Sequence, residues 1–152
     1  MNNTMQKKSL DLCLQILNPR ENLPNKAQLS SWVLETLNRC HMQAPYALTI
    51  RMVSTSEIQT LNKNYRKQNK PTNILSFEDE DIPGFPKQSL GELVVCPVII
   101  EQQAHTENKP LLYHWAHIII HGTLHLIGFT HDTDLEATKM ETLEKSVLQV
   151  LF

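Results

Sequence analysis

The sequence predicts an α+β fold in which a small mixed four-stranded sheet is packed with helices, one of them a central apolar helix that bears histidines. Segments of alternating apolar residues and segments of helical periodicity follow one another as strand, helix, strand, helix, strand, strand and then helices. The most apolar segment, residues 111–129, contains four histidines, which indicates a buried helix rather than a membrane span. Because 152 residues suit one hydrophobic core, we expect residues 1–152 to form a single domain.

Two predicted strands and a predicted helix occupy the first part of the chain. Residues 9–17 and residues 46–53 alternate between apolar and polar side chains, which is the pattern of a half-buried strand. Between them, residues 26–40 have the apolar spacing of a helix. The side chains expected to be buried in that helix are Trp32, Val33 and Leu37.

A second helix is predicted from its first turn. Ser54 is followed three residues later by Glu57, which is the pattern of a capping box, in which each side chain binds the backbone N–H of the other residue. Ile58, Leu61 and Tyr65 follow at i, i+3 and i+7, so we expect all three side chains to be buried, although Tyr65 could instead stack on a base.

Two short strands and two helix starts are predicted next. The strands are residues 73–77 and residues 93–96. Between them, residues 78–88 are acidic and contain prolines and a glycine, so they are predicted to form a surface loop. Pro97 and Pro110 each mark the start of a helix, where the missing backbone N–H costs nothing.

The last predicted helix begins at a second capping-box pattern, formed by Thr133 and Glu136. Its apolar residues recur at helical spacing and are predicted to form one buried stripe. The stripe consists of Met140, Leu143, Val147 and Leu151.

Charge and cysteine content limit the possible classes of function. Fourteen basic and sixteen acidic residues give a formal net charge of −2, which excludes a generally basic nucleic-acid-binding surface but allows a local basic patch. Cys13, Cys40 and Cys96 are odd in number and form no CxxC pair, so we expect reduced, buried thiols in a cytoplasmic protein. No signal peptide is predicted after Lys7 and Lys8.

The segment HGTLHLIGFTH at residues 121–131 predicts a metal site. His121 and His125 are one helical turn apart and can bind one metal ion from the same helix face. In a continuing helix His131 would point away, but Gly128 can adopt the left-handed conformation that ends a helix and lets the chain turn back. Three imidazoles leave a fourth position open for water, which is typical of a catalytic zinc site, and we expect one zinc ion per chain.

The histidines allow two other interpretations. All of them could be ordinary buried residues, and His114, His117 and His121 also share one helix face. A single helix separates successive turns by about 5.4 Å, which suits a compact tetrahedral site poorly. We therefore interpret His114 and His117 as core residues or as support for the ligands, and His41 and His105 as surface residues.

The same segment has the outline of the metzincin signature H-E-x-x-H-x-x-G-x-x-H, with Gly122 in the place of the catalytic glutamate. That glutamate is the general base of peptide hydrolysis, and glycine cannot replace it. The substitution argues against an ordinary peptidase, although Glu92 or Asp132 could supply a carboxylate. Cleavage of a phosphodiester depends more on neutralisation of the phosphate charge, so a nearby cationic side chain is the feature to look for.

A basic stretch at residues 62–72 could supply that charge. It reads NKNYRKQNKPT and contains no acidic residue. Arg66 could bind a phosphate with two parallel hydrogen bonds, although a solvated loop is the alternative interpretation. The candidate substrate-binding residues are Arg66, Lys63, Lys67 and Lys70.

Together these segments resemble the YbeY family, bacterial single-domain metal-dependent endoribonucleases involved in ribosomal RNA maturation. The matching segments are NKNYRKQNKPTNILSF at residues 62–77, LGEL at 90–93 and HWAHIIIHGTLHLIGFTH at 114–131. Their order and spacing also fit, so the resemblance covers most of residues 46–148.

The resemblance implies an α+β fold and a zinc ion held by three histidines, which are His121, His125 and His131 in this chain. It also implies an arginine that is important for activity, and this position is Arg66. One departure is visible at Thr130, where the family commonly has an aspartate before the third histidine. A carboxylate at this position could orient a ligand imidazole. In this chain Asp132 or a backbone carbonyl could serve instead.

We therefore expect a zinc-dependent endoribonuclease, a hydrolase that cleaves phosphodiester bonds in ribosomal RNA processing and ribosome maturation or quality control. The expected partners are ribosomal RNA and the small ribosomal subunit or its associated proteins, with no membrane involved. Two alternatives remain. One is a metallopeptidase-like hydrolase, and the other is a non-catalytic ribosome-assembly factor in which zinc serves stability.

Overall fold

The computed structural model describes residues 10–42, 45–80, 83–84 and 88–152. Within this part of the chain the strands are β1 (Leu10–Ile16), β2 (Tyr46–Met52), β3 (Ile74–Glu78) and β4 (Ser89–Val95). The helices in the same residues are α1 (Lys26–Arg39), α2 (Thr55–Arg66), α3 (Pro97–Thr106), α4 (Leu111–Leu126) and α5 (Asp134–Leu151).

The four strands form one mixed sheet in the order β1-β2-β4-β3. β1 pairs with β2 and β2 pairs with β4 in parallel, whereas β3 pairs with β4 in antiparallel orientation. The predicted α+β class and the mixed four-stranded sheet are therefore confirmed. β3 lies at one edge of the sheet, beside α4, and this edge is where the histidines are found.

Helices cover both faces of the sheet. One face packs against α1, α4 and α5, and α4 is the central element, with Trp115, Ile119 and Ile120 fully buried. The opposite face packs against the beginning of α2, where Ile58 is fully buried next to Leu75 and the strands around it. The predicted central apolar helix is confirmed. His114 is buried, whereas His117, His121 and His125 are half-buried on the side of the helix that faces away from the core.

The helix starts follow the predicted chemistry with small differences. Ser54 accepts a hydrogen bond from the backbone N–H of Glu57, but the Glu57 side chain binds Arg51 at 3.0 Å instead of closing the capping box. Thr133 likewise accepts from the backbone N–H of Glu136.

β4 begins at residue 89 rather than at residue 93, because its first residues pair with β2 although their side chains are not all apolar. Residues 81–82 and 85–87 of the predicted surface loop lie outside the described residues.

Tyr65 was predicted to be buried, and this prediction is wrong. Along the same face of α2, Ile58 is fully buried, Leu61 is half-buried and Tyr65 is 67% exposed. Burial along this face of α2 therefore decreases toward the C-terminal end of the helix. The ring of Tyr65 packs edge-to-face on Phe77 of β3, with a centroid distance of 5.2 Å.

The cysteines are all free, as expected, but only one is buried. Cys96 is buried, Cys40 is half-buried and Cys13 is exposed, so the expectation of three buried thiols is wrong for Cys13. It lies on the polar side of edge strand β1, away from the face that packs on the helices. Among the described residues, no helix combines the length and apolarity needed to cross a membrane.

Candidate metal centre

The end of α4 brings the three predicted histidine ligands together. His121 and His125 lie one turn apart on α4, which ends at Leu126. Gly128 then adopts a φ of +105°, and its backbone N–H donates to the carbonyl of His125 at 3.1 Å. This left-handed residue turns the chain back, so that His131 reaches the other two rings. One ligand nitrogen from each ring can be chosen so that all lie within 4.8 Å of one another.

Hydrogen bonds determine which ring nitrogens carry protons. The Nδ1 atom of His125 lies 2.9 Å from the carbonyl oxygen of Phe129, and Nδ1 of His121 lies 2.5 Å from a carboxylate oxygen of Glu144. Carbonyl and carboxylate oxygens only accept hydrogen bonds, so both Nδ1 atoms donate. In neutral imidazoles the two Nε2 atoms then carry lone pairs.

These lone pairs fit a metal ion. The Nε2 atoms of His121 and His125 lie 3.0 Å apart, and neither can donate to the other while its ring is neutral. Zn–N bonds of about 2.0–2.1 Å in a tetrahedral site separate ligand nitrogens by roughly 3.3 Å. The spacing and the borderline-soft imidazole donors therefore suit zinc or a similar divalent ion.

Glu144 of α5 is the residue that sequence reasoning missed. Its carboxylate is buried and accepts hydrogen bonds from Nδ1 of His121 and from Nε2 of His117, the latter at 3.1 Å. Burial by itself raises the pKa of the Glu144 carboxyl, but the hydrogen bonds that the two histidines donate and their electrostatic attraction outweigh burial and lower the pKa to about 2. Glu144 is therefore an ionised acceptor that fixes the orientation of the His121 ring.

A signal for Glu144 was present in the sequence. The predicted buried stripe of α5 is confirmed at Met140 and Val147, and Glu144 lies on the same side of the helix between them. An acidic side chain at such a position is rarely buried unless it has a partner. The two histidines of α4 are that partner.

The third histidine stands in a different environment. His131 is exposed, and its ring stacks on that of His121 with a centroid distance of 5.7 Å. Thr130, the departure from the family pattern, donates a hydrogen bond to Glu136, which also accepts from the Thr133 hydroxyl at 2.9 Å. Thr130 thus ties the segment before His131 to the first turn of α5.

A cleft of about 1280 Å³ opens beside the histidines. Arg66, the last residue of α2, lines it together with His121, His125 and His131. Burial lowers the pKa of His125, and electrostatic repulsion from the neighbouring basic groups, His121 and Arg66 among them, lowers it further. The structure therefore brings the predicted arginine to the same cleft as the predicted ligands.

The three predicted lysines are placed differently. Lys63, Lys67 and Lys70 are exposed, and none belongs to the described lining of the cleft. Asn62, which sequence reasoning did not single out, holds the loop that carries two of them. The buried side chain of Asn62 donates to the backbone carbonyl of Lys70 at 2.9 Å. The backbone carbonyl of Asn62 accepts from the backbone N–H of Lys67. Asn62 therefore fixes the chain directly after Arg66.

Gly122 faces the sheet rather than the histidines. A Cβ atom at this position would lie 2.4 Å from Cδ1 of Ile74 and 3.0 Å from Cδ2 of Leu93. Glycine thus permits α4 to lie close to β3 and β4. The position that carries the base in metzincins is buried in the helix–sheet interface here, which removes support from the peptidase alternative.

The two other carboxylates considered in the sequence also lie away from the cleft. Glu92 of β4 forms an ion pair with Arg51 at 3.5 Å, and Asp132 is exposed. Neither is part of the cleft lining among the described residues. The backbone carbonyl that was considered as support for a ligand is present, but it belongs to Phe129 and binds His125.

The remaining histidines occupy the places expected of them. His114 is buried, and its Nε2 atom lies 2.9 Å from Oε1 of Gln103. His117 shares the Glu144 carboxylate with His121, which is the position expected of a residue that supports a candidate ligand. His41 and His105 are exposed.

Comparison with known proteins agrees with the fold and with the motifs. A family model described as endoribonuclease YbeY matches residues 15–151. Among solved structures, the chain is similar to the solution structure of TM1509 from Thermotoga maritima. The two share 26% sequence identity with a TM-score of 0.58, over 90% of this chain and 87% of that chain.

Proposed function

This chain belongs to the YbeY endoribonuclease family, and we propose that it is a zinc-dependent endoribonuclease that acts in ribosomal RNA processing and ribosome maturation. The observation that carries this proposal is the cleft, in which three histidines with converging ligand nitrogens and one arginine line the same surface. A metal-ligand cluster beside a guanidinium suits a substrate with a reactive phosphate.

The proposed roles follow from the contacts. His121, His125 and His131 would hold the zinc ion, which when bound would supply Lewis-acid polarisation of a phosphate oxygen. Glu144 keeps the proton on Nδ1 of His121, so that Nε2 remains a ligand. Arg66 binds the phosphate and neutralises the charge that develops during cleavage.

The lysines have a more distant role in this proposal. Lys63, Lys67 and Lys70 surround Arg66 in sequence and are exposed, so they can contact phosphates of the RNA strand beyond the cleft. Their contribution is to affinity and depends on salt concentration. A protein with a formal net charge of −2 has little general attraction for RNA, which supports presentation of the RNA by the small ribosomal subunit or its proteins.

Two further parts of the proposal concern the chain as a whole. We propose that residues 1–152 form one YbeY-like domain, since the family match extends from residue 15 to residue 151. We also propose a cytoplasmic location, which is consistent with the free cysteines.

The test is cleavage of structured ribosomal RNA by protein purified without a metal-affinity tag, combined with elemental analysis. We expect about one zinc ion per chain, loss of cleavage with a chelator and recovery on addition of zinc. The variant His125→Ala should bind no zinc and should not cleave. Cleavage by His125→Ala at the wild-type rate would refute the metal mechanism.

Arg66 has a matched control on the same molecule. Arg66 ends α2 and Arg39 ends α1, where its guanidinium binds Ser146 outside the cleft. Arg66→Ala should lower kcat by about 10²-fold or more, as expected for removal of a donor to developing charge. Arg39→Ala should cleave like the wild type. If His125→Ala binds no zinc, still folds and supports ribosome maturation fully, the assembly-factor alternative replaces the proposed enzyme.

A further inference from the structure

We propose that Tyr65 is a nucleobase-stacking residue, which holds the base of a nucleotide next to the phosphate that Arg66 binds. The inference rests on the proposed function, because it concerns how the same cleft selects RNA. It adds a contact to the base, whereas the metal ligands and Arg66 act on the phosphate.

Exposure is the first observation that points to Tyr65. An aromatic side chain that is 67% exposed is unusual at a position with the helical spacing of a buried face. Ile58 and Leu61 show that the preceding turns of α2 do pack on the sheet. Tyr65 meets the edge strand β3 at Phe77 but is otherwise largely exposed, so most of the ring surface is available to a ligand.

The ring is also held in place. Phe77 of β3 contacts Tyr65 at a centroid distance of 5.2 Å and an interplanar angle of 71°. Phe77 is half-buried and packs with Leu61 against the smaller core cluster, so it forms a rigid support for the exposed ring. An edge-to-face pair of this kind is a favourable aromatic arrangement and limits the freedom of the Tyr65 side chain.

Position supplies the third observation. Tyr65 precedes Arg66 in the last turn of α2, and both residues line the cleft that contains the three histidines. The base and the phosphate of a nucleotide are attached to one sugar. A guanidinium and an aromatic ring on neighbouring residues can therefore bind both parts of the same or of an adjacent nucleotide.

The chemistry of RNA fits such a pair. Every base has a π-face, so stacking on an aromatic ring adds affinity without requiring one sequence. The base must leave its own stack to reach the ring, so the contact also selects how the strand enters the cleft. Removal of such a ring lowers affinity by about 5- to 150-fold.

The test combines removal of the ring with removal of the base. A set of RNA oligonucleotides, each with one abasic nucleotide near the cleavage site, is cleaved by zinc-loaded wild-type protein and by Tyr65→Ala. In the wild type we expect KM to rise about 5- to 150-fold at one abasic position, with kcat nearly unchanged. Tyr65→Ala should raise KM for the intact RNA by a similar factor. With this variant, an abasic nucleotide at the same position should raise KM no further.

Three variants separate stacking from other effects. Tyr65→Phe keeps the aromatic face and should retain the wild-type KM, whereas Tyr65→Leu keeps an apolar contact with Phe77 and should behave like Tyr65→Ala. Tyr113 forms a second edge-to-face pair, with Phe152 at 5.3 Å, and lies outside the described lining of the cleft. Tyr113→Ala is therefore the matched control and should leave the abasic profile unchanged.

A fluorescence measurement checks binding without turnover. Both proteins in this experiment carry His125→Ala, and the RNA carries 2-aminopurine at the selected position. The protein that retains Tyr65 should quench the 2-aminopurine fluorescence, and the protein that also carries Tyr65→Leu should not. Two results would overturn the inference without affecting the proposed function. One is that Tyr65→Ala and the abasic nucleotide raise KM additively. The other is that the proteins with and without Tyr65→Leu quench the fluorescence equally. If the wild type cleaves no RNA, the proposed function itself fails.

Discussion

Glu144 in the middle of α5 accepts a hydrogen bond of 2.5 Å from Nδ1 of His121 in α4. The bond crosses the interface of the two helices and determines that the lone pair of His121 lies on Nε2, toward His125. The orientation of the candidate ligands on α4 thus depends on the packing of α5. His117 donates to the second oxygen of the same carboxylate, which leaves Glu144 little freedom to move.

The first prediction concerns metal affinity. Glu144→Gln preserves the size of the side chain but removes the charge that orients His121, so zinc affinity should fall by about 10- to 100-fold. Competition with a chromophoric chelator measures this change. Glu141→Gln is the control, because Glu141 is an exposed glutamate of the same helix that also lines the cleft but, among the described contacts, does not bind a histidine. Equal zinc affinity of Glu144→Gln and Glu141→Gln would contradict the role assigned to Glu144.

The second prediction concerns thermal stability. Zinc at about 100 times its dissociation constant should raise the free energy of unfolding by about 2.7 kcal/mol, because it binds the folded chain. For a protein of this size, the unfolding temperature should increase by roughly 5–11 °C, as measured by circular dichroism. His125→Ala should show no increase with zinc. An increase of the same size in that variant would place the ion elsewhere.

The extent to which sequence predicts this molecule depends on how local each feature is. The three histidines and Gly128 lie within residues 121–131, so helix geometry and one left-handed residue suffice to bring the ligands together. Glu144 lies 23 residues from His121, and their contact depends on how α5 crosses α4, which periodicity does not describe. Only its place on an apolar stripe marked it as unusual.

Tyr65 shows a second limit of the same kind. Periodicity correctly assigns Tyr65 to the helix face that contains Ile58, and Ile58 is buried as predicted. The pattern does not say how far the sheet extends beneath the helix, however. That distance depends on the pairing of β3 at the edge of the sheet, which is a property of the assembled fold.

The third prediction concerns the loop after Arg66. Asn62→Ala removes the hydrogen bond to the carbonyl of Lys70 and should destabilise the protein by about 1 kcal/mol. It should also lower kcat/KM for RNA cleavage by about 10-fold or more, because small displacements of a positioned group slow catalysis strongly. Urea unfolding and cleavage assays measure the two effects.

Asn64 provides the control for that experiment. It is exposed on the same helix, so Asn64→Ala makes the same change in helix propensity without removing the buried contact. The difference between the two variants isolates the contribution of Asn62. If both variants cleave RNA equally well, Asn62 does not position Arg66.

The last prediction concerns Gly122, where α4 meets the sheet. A Cβ atom there would lie 2.4 Å from Cδ1 of Ile74, so Gly122→Ala overfills the interface, which costs about 1–3 kcal/mol. Alanine also favours the helix by about 1 kcal/mol, which leaves a net loss of up to about 2 kcal/mol in urea unfolding. Gly122→Glu should be far more destabilising and should gain no peptidase activity, since its carboxylate would enter the core.

A second substitution shows whether this contact is the cause. Valine lacks the Cδ1 atom, so Ile74→Val removes the atom that a Cβ at Gly122 would meet first. In the Ile74→Val background Gly122→Ala should destabilise the protein much less, because the added methyl group occupies the space that is freed. A double-mutant cycle should therefore show favourable coupling between the two changes. A penalty of the same size in both backgrounds would mean that Gly122 is required for another reason, such as the 3.0 Å approach of Leu93.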